Sequence, residues 1–155
     1  MRIEPLPFDD PVAQELIERV QQEYVLRYGG PDETPVDPAE FTPPYGLFLV
    51  AHGESGSVLG CGGWRAHGDG AAEIKRMYVV PEARGRGVAR ALLAELERTA
   101  AAAGRPQIEL FTGSRQPEAV ELYVSSGYMP VPGYGPYRDE PDARYYGKHM
   151  QAHRA

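Results

Sequence analysis

Apolar positions along this chain switch between every second residue and every third or fourth, and the switches mark out its elements. MRIEPLP reads as a short first strand. In DDPVAQELIERVQQEYVLRYGG, Val12, Leu16, Val20 and Tyr24 recur four apart, the spacing of one helix face. Asp10 can cap that helix, Pro11 suits its first position and Gly29 can close it. YGLFLVAH, SVLGCGGWRAH and AAEIKRMYVV are strand-like runs joined by GESG and GDG, which predicts an antiparallel meander. From Val88 to about Ala103 the period turns helical again, with Val88, Leu92, Leu96 and Ala100 on one stripe and Gly104 as the stop. QIELF then reads as a strand and QPEAVELYVSSG as a helix, with Pro117 in its first turn and Gly127 at its end. YMPV and ARYYGKHM close the chain as strands. The predicted order is β-α-β-β-β-α-β-α-β-β, and no repeat, low-complexity tract or linker divides it, so residues 1–155 are expected to form a single domain.

Between the first helix and the meander lies PDETPVDPAEFTPP, rich in proline and acid, with Phe41 its only large apolar residue. It is expected to be a surface loop, and loops of this length are often functional. The 155 residues, 42% of them hydrophobic, suffice for one real core. The sequence shows neither a secretory signal nor an apolar run of membrane-span length, which predicts a soluble, cytoplasmic protein with no membrane partner. A net charge of −6 argues against nucleic acid as a partner and suits a cationic one. Cys61 is the only cysteine, so no intrachain disulfide can form, and it reads as a small buried strand residue in preference to a nucleophile.

Candidate chemistry concentrates in VVPEARGRGVARALLAELE, where a strand-like run meets a helical one across Gly85 and Gly87. The amides of a loop entering a helix have no intrahelical partners and, with the helix dipole, favour an anion. Arg84, Arg86 and Arg90 add positive charge, so a phosphate is the natural visitor. The stretch is not a P-loop, which needs Gly-x-x-x-x-Gly-Lys-Ser/Thr, and a dinucleotide fingerprint needs glycine or alanine where Arg90 stands. The bland reading is that both glycines merely turn the chain.

RGRGVA resembles the Arg/Gln-x-x-Gly-x-Gly/Ala motif of the GNAT superfamily of acyl-CoA-dependent N-acyltransferases, and EIKRMYVVPEARGRGVARALL resembles that family's strand-loop-helix core. QPEAVELYVSSGY resembles its Asn-x-x-Ala-x-x-Leu-Tyr segment, with Gln116 where asparagine is commoner. The resemblance implies an α/β (α+β) fold: a central mixed, mostly antiparallel sheet of six to seven strands flanked by helices. It also implies acetyl-CoA as acyl donor, no metal, and a small-molecule amine as acceptor, and it admits a homodimer. The pyrophosphate would lie on the amides of Arg84, Gly85, Arg86, Gly87, Val88 and Ala89, with Gln116 as a further coenzyme contact. Met77, Tyr78 and Val79 would pair with the pantetheine arm like an added strand, an amide near Met77 polarising the thioester carbonyl.

An alkyl amine with a pKa of roughly 10.4 is protonated at neutral pH and cannot attack, so a base is useful. The resemblance places Glu73 as that base, directly or through water; its bland reading is a strand carboxylate or ion-pair partner. Tyr123 aligns with a recurrent tyrosine near the coenzyme sulfur and would protonate the leaving thiolate, the alternative being core packing. The acceptor is expected between the loop from Asp32 to Tyr45 and the segment from Tyr134 to Tyr146, with Tyr45, Trp64, Glu73, Tyr134, Tyr137 and Asp139 as candidate contacts. Asp32, Glu33, Asp37, Glu40, Asp139, Glu140 and Asp142 are the acids that could attract an ammonium group, the bland reading being that they only solvate mobile loops, and Trp64 reads as core or pocket wall. His149 and His153 have the spacing of a two-histidine metal site but no evident third ligand. Other classes remain: an acyl-CoA-binding sensor without turnover, or an acyltransferase using another acyl group or a hydroxyl acceptor.

Overall fold

In the computed structural model, which describes residues 1–150, the predicted order is found throughout. The elements are β1 (Arg2–Pro5), α1 (Pro11–Tyr28), β2 (Gly46–His52), β3 (Val58–His67), β4 (Ala71–Val79), α2 (Val88–Ala102), β5 (Gln107–Gly113), α3 (Pro117–Ser125), β6 (Met129–Pro130) and β7 (Ala143–His149). Two short 3-10 turns, Pro38–Phe41 and Pro81–Ala83, were not anticipated from the periodicity. The strands form one seven-stranded sheet in the order β1-β2-β3-β4-β5-β7-β6. Its pairs are antiparallel except β4 with β5, so the sheet is mixed and mostly antiparallel, as expected. His153 lies outside the described residues. Among those described, no helix is long and apolar enough to cross a membrane, and no three His, Cys, Asp or Glu side chains cluster to hold a metal ion.

Local chemistry explains the helix boundaries. The Asp10 side chain accepts a hydrogen bond from the Val12 amide at 2.8 Å, and Gly29 closes α1 in a left-handed conformation (φ 84°). Val88, Leu92, Leu96 and Ala100 of α2 are all buried, so the predicted stripe faces the sheet, where each leucine contributes about 1.5–3 kcal/mol. Gly60 and Gly62 of β3 make room for it, since a Cβ on either would crowd Leu92 or Leu96.

The loop after α1 departs from expectation. It is not a mere surface loop, because Phe41 is 2% exposed and stacks on Phe8 at 4.6 Å and edge-on to Phe48. A turn capped by Asp37 and Glu40 aims that ring inward. Burying one large aromatic offsets the cost of ordering a proline-stiffened segment, whose unfolded state is already restricted.

Candidate functional site

Two irregularities in β4 open the site. Between Cys61 and Gly63 of β3 the register jumps, Cys61 facing Tyr78 and Gly63 facing Lys75, so β4 carries an extra residue. Arg76 takes up that bulge with φ 62°, a left-handed conformation uncommon for a non-glycine residue. The parallel pairing with β5 extends only from Ala71–Gln107 to Glu73–Glu109. Beyond it the strands part, and Ile74 to Val79 border a cavity of about 790 Å³, within the usual range for small-molecule sites.

The glycine turn forms the mouth of this cavity. Gly85 and Gly87 have φ 78° and 80°, and Gly87 directly precedes α2, so the amides that open the helix have no side-chain cap. A cradle of free amides at a helix N-terminus fits an anionic phosphate. Arg84, Gly85, Gly87, Val88, Ala89 and Arg90 line the cavity; Arg86 instead borders a separate depression beside Met1 and Glu54. Arg84 is partly committed, pairing with Glu23 at 2.8 Å and donating to the Val79 carbonyl. Arg90 is held by the hydroxyls of Ser125 and Ser126.

Met77, Tyr78, Val79, Gln116 and Tyr123 come together on the same cavity. Gln116 precedes α3 and accepts a hydrogen bond from the Tyr28 hydroxyl at 3.1 Å, a contact possible because Gly113 has no side chain where that hydroxyl sits. Tyr123 is 5% exposed, and its hydroxyl makes no hydrogen bond to another described residue. Burial pushes its phenol above the ordinary value, so it stays protonated at physiological pH. Tyr24, read from sequence only as part of a helix stripe, borders the cavity too, and burial raises its phenol likewise.

Of the acceptor candidates, Tyr137 alone borders the cavity. Tyr45 is 64% exposed on the surface, Asp139 has a fully solvated carboxylate, and Trp64 is core, donating to Thr99 of α2 at 3.0 Å. Tyr134 packs against His67, Phe111 and Tyr145. Glu73 is buried, accepts from Arg65 Nε at 3.0 Å and does not itself border the cavity. Beside it lie the buried hydroxyls of Tyr134 and Tyr145. Burial first and the Glu73 carboxylate second push both phenols up. Cys61 is buried and its thiol donates to the Arg76 carbonyl, in keeping with a structural role.

Of the acids expected to attract an ammonium group, Asp32, Glu33, Glu140 and Asp142 border the cavity, whereas Asp37, Glu40 and Asp139 do not. Asp32 points inward, its Oδ2 lying 2.6 Å from Lys75 Nζ and 2.7 Å from Arg76 Nη1. Burial alone would raise the Asp32 carboxyl, but the Lys75 ammonium and the Arg76 guanidinium outweigh it and hold the carboxyl well below the usual range. Desolvation lowers Lys75 in turn, against the pull of Asp32. A carboxyl depressed in the folded state contributes stability above its unfolded pKa, and that contribution fades as pH falls toward the folded value. Asp32→Asn is therefore expected to cost about 3 kcal/mol at pH 7, where two buried cations lose their partner. Thermal melts of both proteins should converge as pH drops below about 4; a gap independent of pH would mean that charge is not the cause.

Comparisons with known proteins agree with this geometry. The sequence profile described as the Acetyltransferase (GNAT) family matches residues 13–128. An IAA acetyltransferase of Azospirillum brasilense is 36% identical over 136 residues, covering 87% of this chain and 88% of its own. An uncharacterised N-acetyltransferase of Schizosaccharomyces pombe is 33% identical over 121 residues, covering 73% and 74%. A crystal structure from Klebsiella pneumoniae, assigned as an acyl-CoA N-acyltransferase, superposes with a TM-score of 0.80 at 26% identity, covering 97% of both chains.

Proposed function

This chain belongs to the GNAT family of acetyltransferases, and from that premise we propose that it transfers an acetyl group from acetyl-CoA to a primary amine of a small molecule by direct attack. The observation that carries the reading is the parting of β4 from β5 beside an uncapped, glycine-led helix N-terminus. Together they supply a phosphate cradle and a free strand edge within one cavity.

Bound acetyl-CoA supplies an activated thioester; the chain supplies position, a neutral amine and a proton for the departing sulfur. The edge of β4 from Met77 to Val79 would hold the pantetheine arm, with an amide at the bulge polarising the thioester carbonyl. Because Glu73 does not border the cavity, its role as base is indirect, the amine proton reaching it through water. Tyr123 acts chiefly as a hydrogen-bond donor to the leaving thiolate, because burial makes its phenol a weaker acid. A hydrogen bond to a charged group is worth about 1.5–3 kcal/mol, so Tyr123→Phe should slow single-turnover thiol release about 10- to 100-fold. Equal rates would reduce Tyr123 to packing.

Calorimetric titration with acetyl-CoA, followed by an amine panel read through free thiol release, tests the whole proposal. Binding with amine-dependent thiol release is expected. Binding without release from any amine or alcohol would favour a non-catalytic sensor, and release with hydroxyl acceptors alone would change the acceptor class.

A further inference from the structure

Behind the bulge, three buried cations meet two buried carboxylates. Side-chain exposure is 11% for Arg65, 4% for Lys75 and 5% for Arg76, against 3% for Glu73 and 10% for Asp32. The other carboxylate in reach of Arg65, Glu40, is 42% exposed and largely screened. Among the described residues, one positive charge therefore has no buried counter-ion, and low-dielectric surroundings make that costly. Free donors show where the charge is least satisfied. Lys75 has Asp32 at 2.6 Å and the face of Phe111 at 4.5 Å. Arg76 uses Nη1 on Asp32, while its Nε is buried without a hydrogen-bond partner among the described residues. Arg76 also borders the cavity, from a left-handed backbone that persists only where its surroundings impose it.

Resting on the acetyltransferase reading of this cavity, we propose that the acceptor amine also carries a carboxylate, and that this carboxylate docks on Arg76. A guanidinium fork matches a planar carboxylate, and a single uncompensated charge matches a monoanion better than a phosphate dianion. Arg76 immediately precedes Met77, whose amide is assigned to the thioester carbonyl, and consecutive Cα atoms lie about 3.8 Å apart. An acceptor that carries both an amine and a carboxylate on one small molecule, such as an amino acid, meets both requirements. Asp32 holds the guanidinium in place through Nη1 and leaves Nη2, which has no hydrogen-bond partner among the described residues, for the ligand.

The test compares amino acids with the amines left by removing their carboxylates, such as phenylalanine with phenethylamine and leucine with 3-methylbutylamine, by thiol release. The wild-type protein should favour the carboxylated member by about tenfold or more in kcat/KM, the worth of one charge-assisted contact. Arg76→Gln should shrink that ratio by a similar factor, through the amino-acid KM, in a protein that melts cooperatively. A measurement on the wild type alone avoids any dependence on the variant's folding: 3-phenylpropionate should compete with the acceptor and 3-phenylpropanol should not. Equal use of both members of each pair, a ratio that survives Arg76→Gln, or equal inhibition by acid and alcohol overturns the proposal. Turnover of amines without a carboxylate preference leaves the acetyltransferase reading standing, whereas absence of thiol release from every amine overturns both.

Discussion

Gly87→Glu is expected to weaken acetyl-CoA binding by about 10³-fold, since a new carboxylate some 4 Å from a phosphate charge costs about 4 kcal/mol near a protein surface. The added charge would also occupy the positive end of the α2 dipole that the phosphate needs. The fold should survive, because a Cβ at Gly87 meets nothing within 4 Å, although the left-handed backbone (φ 80°) adds about 1–2 kcal/mol of strain. Gly87→Ala separates the two effects: it carries the strain without the charge and should lose far less affinity. Calorimetry on the three proteins, each checked by thermal melting, decides the matter. Equal affinity of wild type and Gly87→Glu would remove the pyrophosphate from this turn and with it the central assignment.

Glu73→Gln is expected to lower kcat by about 10² to 10⁴ while leaving the coenzyme KM nearly unchanged, because a base acts on the amine and not on the donor. Glutamine keeps an oxygen that can accept from Arg65, and Arg65 retains the Pro35 carbonyl and Glu40, so the fold should hold at reduced thermal stability. Wild-type turnover with reduced thermal stability would leave Glu73 as the ion-pair partner of Arg65 and nothing more.

Sequence and structure part company at specific residues. The stripe on α2 was legible because four-residue spacing puts Val88, Leu92, Leu96 and Ala100 on one face whatever surrounds it, and all four are buried. The caps at Asp10 and Gly29 were legible for the same local reason. The ion pairs of Asp32 were not legible, since its partners lie 43 and 44 residues away and nothing near it signals them. Phe41 gave a clue, being a lone aromatic in a polar loop. The bulge at Arg76 had no sequence signal: left-handed backbone normally advertises itself through glycine or asparagine, and here an arginine takes it up.

What the sequence determined by itself is everything encoded within a few residues: the order of the elements, their limits, and the glycine turn whose amides await an anion. Periodicity, caps and backbone freedom act over one or two helical turns, so they can be read without knowing the fold. Only the tertiary structure decided which side of each strand faces the cavity, because the extra residue in β4 shifts the alternation that the sequence would otherwise carry through. It placed Trp64 in the core and Tyr24 at the cavity, and it put Glu73 behind the wall with Arg65. It also brought Asp32, Lys75 and Arg76 together. Charge balance in a buried site is a sum over contacts distant in the chain, and only folding defines which terms enter it.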